Sequence, residues 1–263
     1  MTTGFTTRGD LALVGWQVRY TQRAFWRNRR GAVFGIGFPL MFLIVFGSLN
    51  HGHIDTRGNL SFIDFYVPGI VAYAIILTCF NTTALTFAAL RANGVLKRLR
   101  VTPLPWWVFV AGTIGSTLVV VTISIALMLT LGIVAFGAHL RLEMVPALLL
   151  TLVLGCACFT TLGIAASRLV AKPENGMGLL VIITLPLMFI SNIFFPLDDA
   201  PGWLNDVARA FPFRPLADGL QVAFDPRTQG SGIVGHDVAV LAIWAIVGAT
   251  IMLRYLQSLA RRA

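Results

Sequence analysis

The sequence predicts an all-α integral membrane fold of six transmembrane helices, with both termini on the cytoplasmic side. Three observations carry this reading. First, 57% of the 263 residues are hydrophobic and 12% are charged, about half the charge of a typical soluble domain. Second, the apolar residues gather into six runs, at 31–49, 67–90, 106–136, 145–169, 176–195 and 238–255. About twenty residues at ~1.5 Å each reach roughly 30 Å, the thickness of a bilayer's hydrocarbon core. Third, the charges divide by side. With the N-terminus, the second and fourth connections and the C-terminus placed together, that side holds fifteen Lys and Arg against Asp10 and Glu174, and the other side holds five Arg against nine acids. A fifteen-to-five asymmetry is the positive-inside pattern. The basic excess therefore faces the inner leaflet, and nucleic acid is not an expected partner. Cys79, Cys156 and Cys158 all fall inside apolar runs, as small apolar fillers rather than a disulfide framework.

In chain order, residues 1–30 form a cytoplasmic segment and 31–263 a six-span transmembrane domain. Leu11, Val14, Val18 and Phe25 recur at helical spacing, with Arg19, Arg23, Arg27 and Arg30 on another face. That is an amphipathic helix lying on the inner leaflet, with Trp16 and Trp26 suited to the headgroups. The loop after the first run carries His51 and His53, but two histidines without a third ligand do not make a metal site. The second run holds Asn81-Thr82-Thr83 near its centre. Polar groups at that depth serve either as interhelical hydrogen-bonding contacts or along a pathway.

The second connection, 91–105, is short and basic. Val95, Leu96 and Leu99 alternate with Lys97, Arg98 and Arg100, which predicts a helix of one to two turns stopped by Thr102-Pro103. The apolar side of so short a cytoplasmic helix needs a cover, lipid or a partner's groove. The third run, at 31 residues, exceeds one vertical crossing, so it tilts or starts along the interface at Trp106 and Trp107. The fourth contains Gly155 and Gly163 among other small residues, which let helices approach closely. The run 176–195 breaks at Pro196. The segment 196–220 that follows is too interrupted by proline to cross again, yet Leu197, Trp203, Leu204, Val207, Phe211 and Phe213 make it too apolar for an aqueous loop. Short helices half-sunk in the interface fit it.

No Asp, Glu, Lys, Arg or His lies in the middle of any run, so the ion-coupling charge that proton- and cation-driven carriers place at mid-membrane is missing. The phosphate-cradling G-x-x-x-x-G-K-[ST] loop is missing as well. The chain is not expected to be an enzyme or to hold a cofactor of its own. Uphill movement of a solute would need energy from another chain, docked on the basic second connection.

The segments Leu96-Lys-Arg-Leu-Arg-Val-Thr-Pro-Leu-Pro105, Pro186-Leu-Met-Phe-Ile-Ser-Asn-Ile-Phe-Phe-Pro-Leu197, Pro201-Gly-Trp-Leu204 and Phe211-Pro-Phe-Arg-Pro-Leu-Ala-Asp-Gly-Leu220 resemble a type-two ABC transporter permease of the daunorubicin-resistance-like branch. Their order and spacing match over nearly the whole chain. The resemblance implies a type V ABC exporter-like fold and a half-transporter. Two permeases, a second copy or a paralogue, would join two separate ATPase subunits that hold ATP and Mg²⁺, exporting amphipathic drugs, lipids or glycans. It implies that Arg91, Asn93, Gly94, Leu96, Lys97, Arg98, Leu99, Arg100, Thr102 and Pro103 belong to the ATPase-coupling segment. It also implies that 198–208 and 211–220 are short re-entrant helices near an outer gate, with Phe194, Phe195, Pro196, Trp203, Phe211 and Phe213 as gate residues. Asn81, Thr82, Ser191 and Asn192 are candidates for the few polar contacts along the pathway, alongside a purely structural role. Two other classes stay open: a partner-independent channel or facilitator, and a non-transporting membrane scaffold.

Overall fold

The computed structural model describes residues 7–27, 33–49, 53–54, 60–95, 106–197 and 201–261. These form nine helices: α1 (Thr7–Arg27), α2 (Phe38–Leu49), α3 (Phe62–Ala92), α4 (Trp106–Phe136), α5 (Val145–Ala166), α6 (Pro173–Phe189), α7 (Gly202–Ala210), α8 (Phe213–Gln221) and α9 (Gly235–Arg261). A π-helical turn, Val33–Gly37, leads into α2. The one departure from an all-helical chain among the described residues is a two-residue antiparallel pair, β1 (His53–Ile54) with β2 (Leu60–Ser61), in which His53 faces Ser61 and Ile54 faces Leu60.

Four helices are long and apolar enough to cross a membrane: Phe62–Ala92, Trp107–Phe136, Leu142–Ala166 and Gly235–Gln257. The two remaining runs form shorter apolar helices, Gly35–Leu49 and Pro173–Phe189. The expected twenty-residue helix over 176–195 is therefore corrected to one that ends at Phe189. The reason is local: the Ile190 N–H makes the last bond of the helix, to the Pro186 carbonyl at 3.2 Å, and two residues on Asn192 takes φ +60°, a left-handed conformation that stops a helix.

α3 is the hub. It is apolar on every face, and a helix of that kind must be surrounded rather than laid on a surface. α2, α4, α5 and α8 all pack on it, and α9 lies along α5 on the outside. Around this centre, Leu43, Ile70, Ile75, Phe159, Leu216 and Phe224 form one continuous core. The peripheral helices turn large apolar side chains outward, such as Val134 on α4, Val153 on α5, Ile182 on α6 and Ile246 on α9. A face of that composition needs an apolar surrounding, and a bilayer supplies it.

Two glycines set how closely elements approach α3. A Cβ on Gly163 of α5 would sit 2.7 Å from the carbonyl oxygens of Cys79 and Phe80. A Cβ on Gly69 would sit 2.3 Å from the Ile193 carbonyl oxygen. α3 winds as a π-helix over Ile76–Thr82. Thr82 and Thr83 hydroxyls donate to the Leu77 and Thr78 carbonyls at 3.0 and 3.3 Å, five residues back. This satisfies oxygens that a widened turn frees. Cys79, Cys156 and Cys158 are buried and free.

α1 packs against the bundle through one side. Its Val14, Gln17, Val18, Thr21, Gln22 and Phe25 side is half-buried, and the helix packs along α4, where Gln22 Nε2 donates to the Ser116 carbonyl at 2.7 Å. The apolar stripe read as lipid-facing is spent on a neighbouring helix. Leu13, Trp16, Arg19, Tyr20, Arg23, Trp26 and Arg27 are among the residues left exposed.

Candidate functional site

An aromatic cleft opens between α2, α3, α6 and the segment that follows α6, with a volume of about 590 Å³. That lies within the usual range of small-molecule sites, roughly 300–1,000 Å³. Helical spacing builds three of its walls. Phe38, Phe42 and Phe46 recur every four residues on α2, Phe62, Phe65, Tyr66 and Tyr73 come from α3, and Leu185, Met188 and Phe189 from α6. Phe194, Phe195 and Pro196 close the fourth. The rings touch in a chain: Phe42 and Phe46 stack at 5.6 Å, Phe46 meets Tyr66 at 5.5 Å, and Phe62 stacks on Tyr66 at 5.1 Å. Across the cleft, Tyr73 meets Phe194 at 5.6 Å and Phe189 meets Phe194 at 5.8 Å. No lining residue carries a charge.

The fourth wall is held by a single side chain. In the left-handed conformation at Asn192, its Oδ1 accepts from the Leu197 N–H at 3.2 Å, which closes a five-residue excursion. Its Nδ2 donates to Asp218 Oδ1 at 2.8 Å and to Gln221 Oε1 at 3.2 Å. Gln221 Nε2 returns a bond to the Asn192 carbonyl at 2.9 Å. Behind this, Arg214, its side chain 5% exposed, donates to Asp218 at 3.2 Å and to Asn205 at 2.5 Å. α6, α7 and α8 are thus tied at one point, and the buried Arg214 guanidinium has partners, as a buried charge requires, while Asp218 stays partly open to the surface. A second tie lies at the start of α3. Buried Asp64 accepts from the His139 backbone N–H at 2.7 Å, with His139 Nδ1 3.3 Å from its other oxygen.

The expected site residues fall into three places. Phe194, Phe195 and Pro196 meet in the cleft. Trp203 stands 68% exposed on α7, while Phe211 stacks on Trp244 at 5.9 Å and Phe213 meets Phe159 edge-on at 5.1 Å. Those three do not line the cleft. The segment 198–208 is a helix from Gly202 to Ala210, and 211–220 one from Phe213 to Gln221; residues 198–200 lie outside the described residues.

Of the pathway candidates, Asn81 is buried in the π-helical stretch, and its Oδ1 has no partner among the described residues. Thr82 is bonded to Leu77. Ser191 donates to the Leu187 carbonyl, and Asn192 holds the turn. None of the four lines the cleft.

In the segment expected to couple to an ATPase, Arg91 donates to the Val170 carbonyl and to the Tyr255 hydroxyl, the latter at 3.3 Å. The Arg168 guanidinium lies 5.3 Å from the centre of the Tyr255 ring. This gathers the ends of α3, α5 and α9. The Asn93 N–H donates to the Ala89 carbonyl at 2.9 Å, and Gly94, at φ +66°, ends α3. Leu96, Lys97, Arg98, Leu99, Arg100, Thr102 and Pro103 lie outside the described residues.

Sequence reasoning passed over the α2 and α3 aromatics and the Arg214–Asp218–Asn192 network. Two signals were available: the every-fourth-residue Phe pattern at 38, 42 and 46, and the i, i+4 spacing of Arg214 and Asp218.

Comparison with known proteins agrees with this architecture. The family model described as ABC-2 type transporter matches residues 13–224. The daunorubicin resistance ABC transporter permease protein DrrB1 of Streptomyces coeruleorubidus is 33% identical over 189 residues, which are 68% of this chain and 63% of that protein. The inner membrane transport permease YadH of Escherichia coli K12 is 24% identical over 185 residues, 70% of this chain and 71% of YadH. The probable multidrug ABC transporter permease YbhR of the same organism is 25% identical over 163 residues, 61% of this chain and 43% of YbhR. The chain thus spans less than two thirds of DrrB1. With a matched stretch that runs from α1 through α8, this multi-pass membrane protein belongs to the ABC-2 type transporter family.

Proposed function

We propose that the chain is the transmembrane permease subunit of an ATP-driven exporter, and that its cargo is amphipathic and aromatic-rich rather than ionic. The uncharged aromatic cleft carries this reading: its size suits a drug-like molecule, and its rings offer dispersion and stacking without a charge to select a small ion. The permease family and the drug-resistance names of two relatives support it. In the working assembly all six apolar helices cross, the bilayer thinning locally around the short α2 and α6, both termini face the cytoplasm, and α7 and α8 sit as short re-entrant helices at the outer rim. Two such chains, or one and a paralogue, pair with two separate ATPases in a membrane whose lipids bathe the exposed apolar faces. The ATPases hold ATP and Mg²⁺ and grip the segment 91–105. Their closure reaches the cleft through α3, which starts at Phe62 and Tyr66 and ends at Arg91. Cargo then leaves past Phe194, Phe195 and Pro196.

The test is a pull-down with the full chain, followed by reconstitution. A P-loop ATPase is expected to co-purify with the full chain and to be lost when residues 93–99 are deleted. A lipophilic dye is expected to be extruded only when ATPase and ATP are present. Uphill transport by the chain alone would point to a different energy source, and ATPase capture without any ATP-dependent flux would point to a scaffold.

A further inference from the structure

Resting on the reading of the cleft as the cargo site, we infer that Tyr66 selects its occupant: a planar aromatic molecule bearing a hydrogen-bond acceptor, whose oxygen or nitrogen accepts a hydrogen bond from the Tyr66 phenol. Among the described lining residues, Tyr66 and Tyr73 alone have side chains with a hydrogen-bonding oxygen. They stand seven residues apart on one side of α3, and the rest of the wall is Phe, Leu, Met and Pro. Tyr66 is 2% exposed, and its hydroxyl is closed off from solvent with no partner among the described residues.

A phenol in that state has lost its water and gained no partner in return, an unfavourable burial. Buried tyrosine hydroxyls normally find a partner. The neighbouring rings indicate the shape of what would supply it. Phe46 and Phe62 flank Tyr66 at 5.5 and 5.1 Å, and the Phe62 ring lies within 19° of parallel. A flat molecule that parts this stack keeps its faces against rings and brings an edge atom to the hydroxyl. An acyl chain would fill the same volume but leave the phenol without an acceptor. A strongly acidic cargo has no cation in the lining to meet it.

Fluorene and 9-fluorenone test this as a matched pair, identical in shape except for one carbonyl oxygen. Each is titrated into the full chain in nanodiscs, with empty nanodiscs subtracted, and the fluorenone carbonyl stretch is followed by infrared spectroscopy. Fluorenone is expected to bind about three- to ten-fold more tightly than fluorene, the worth of one hydrogen bond, with a carbonyl band shifted to lower frequency. In Tyr66→Phe the preference and the shift are both lost while fluorene affinity stays the same. The empty Tyr66→Phe chain unfolds at the same temperature as the parent or higher, because the hydroxyl it lacks had no partner. Equal affinities in the parent, or a shift that survives Tyr66→Phe, overturn the role of Tyr66 and leave the cleft standing as a binding site. If neither compound binds, because lipid or a second copy of the chain fills the cleft, the inference falls together with the reading beneath it. A lower unfolding temperature for Tyr66→Phe also overturns it, since the hydroxyl would then hold the fold.

Discussion

Asn192 and Arg214 show how much one polar side chain decides in an apolar chain. Asn tolerates the left-handed conformation better than other residues with a Cβ, and its amide here bonds to Leu197, Asp218 and Gln221. Asn192→Ala is expected to lower stability by about 2–4 kcal/mol, from backbone strain and lost hydrogen bonds together. Asn192→Gly should recover about 1 kcal/mol of that, the backbone part alone. Thermal unfolding of the detergent-solubilised protein checks both, and equal losses in the two variants would remove strain from the account. Arg214→Met leaves Asn205 and the partly exposed Asp218 without their buried partner and is expected to cost about 1–3 kcal/mol. The double variant Arg214→Met/Asp218→Leu should cost less than the single one, which a double-mutant cycle reads directly. The residue-level chemistry was partly legible beforehand. Ser191 and Asn192 drew notice because polar residues at the end of an apolar run need a reason. The partners of Asn192, 26 and 29 residues away, could not be known, since no sequence spacing encodes a contact between the end of α6 and α8.

At the scale of elements, the apolar runs foretold where helices lie but not which face each one spends. The third run became α4 with the expected bounds, 106–136, because nothing within it breaks a helix. The fifth run stopped six residues early at Phe189, because Asn192 takes a left-handed conformation that hydropathy does not register. α1 was read from its periodicity as a surface helix, yet its apolar stripe packs on α4, whose Gly112 and Gly115 leave room for Gln17 and Val18. A Cβ at Gly112 would come 2.3 Å from Gln17 Cγ, so Gly112→Leu is expected to push α1 off α4. The readout is faster tryptic cleavage at Arg19, Arg23 and Arg27, with the unfolding temperature of the rest of the chain little changed. Gly163→Leu acts on a backbone contact instead. With carbonyl oxygens 2.7 Å from its Cβ, neither partner can move aside cheaply, and a loss above about 3 kcal/mol is expected.

At the scale of the whole molecule, α3 is surrounded by the other helices, while α9 and the outer faces of α4, α5 and α6 turn apolar side chains away from the core. This is the inside-out economy of a membrane protein, in which close packing and internal hydrogen bonds, rather than flight from water, join the helices. Sidedness is tested by cysteine labelling in a background where Cys79, Cys156 and Cys158 are replaced. Asp10→Cys should react with a membrane-impermeant maleimide only from the cytoplasmic face, and Thr228→Cys only from the outside. Labelling of both from one face would reject the proposed topology.

By itself the sequence determined that this is a helical membrane protein of the ABC-2 kind. Run length, scarcity of charge and the segments around 96–105 and 186–220 are local properties, and local properties survive without knowing the fold. The tertiary structure decided that Phe38, Phe42 and Phe46 of α2 meet Tyr66 and Tyr73 of α3 and Phe194 beyond α6 to enclose one cleft. It also decided that an asparagine tied to α8 holds that cleft's fourth wall in place. Those facts depend on which faces of separate helices meet, and in an apolar chain nearly every face is sticky enough to have met another.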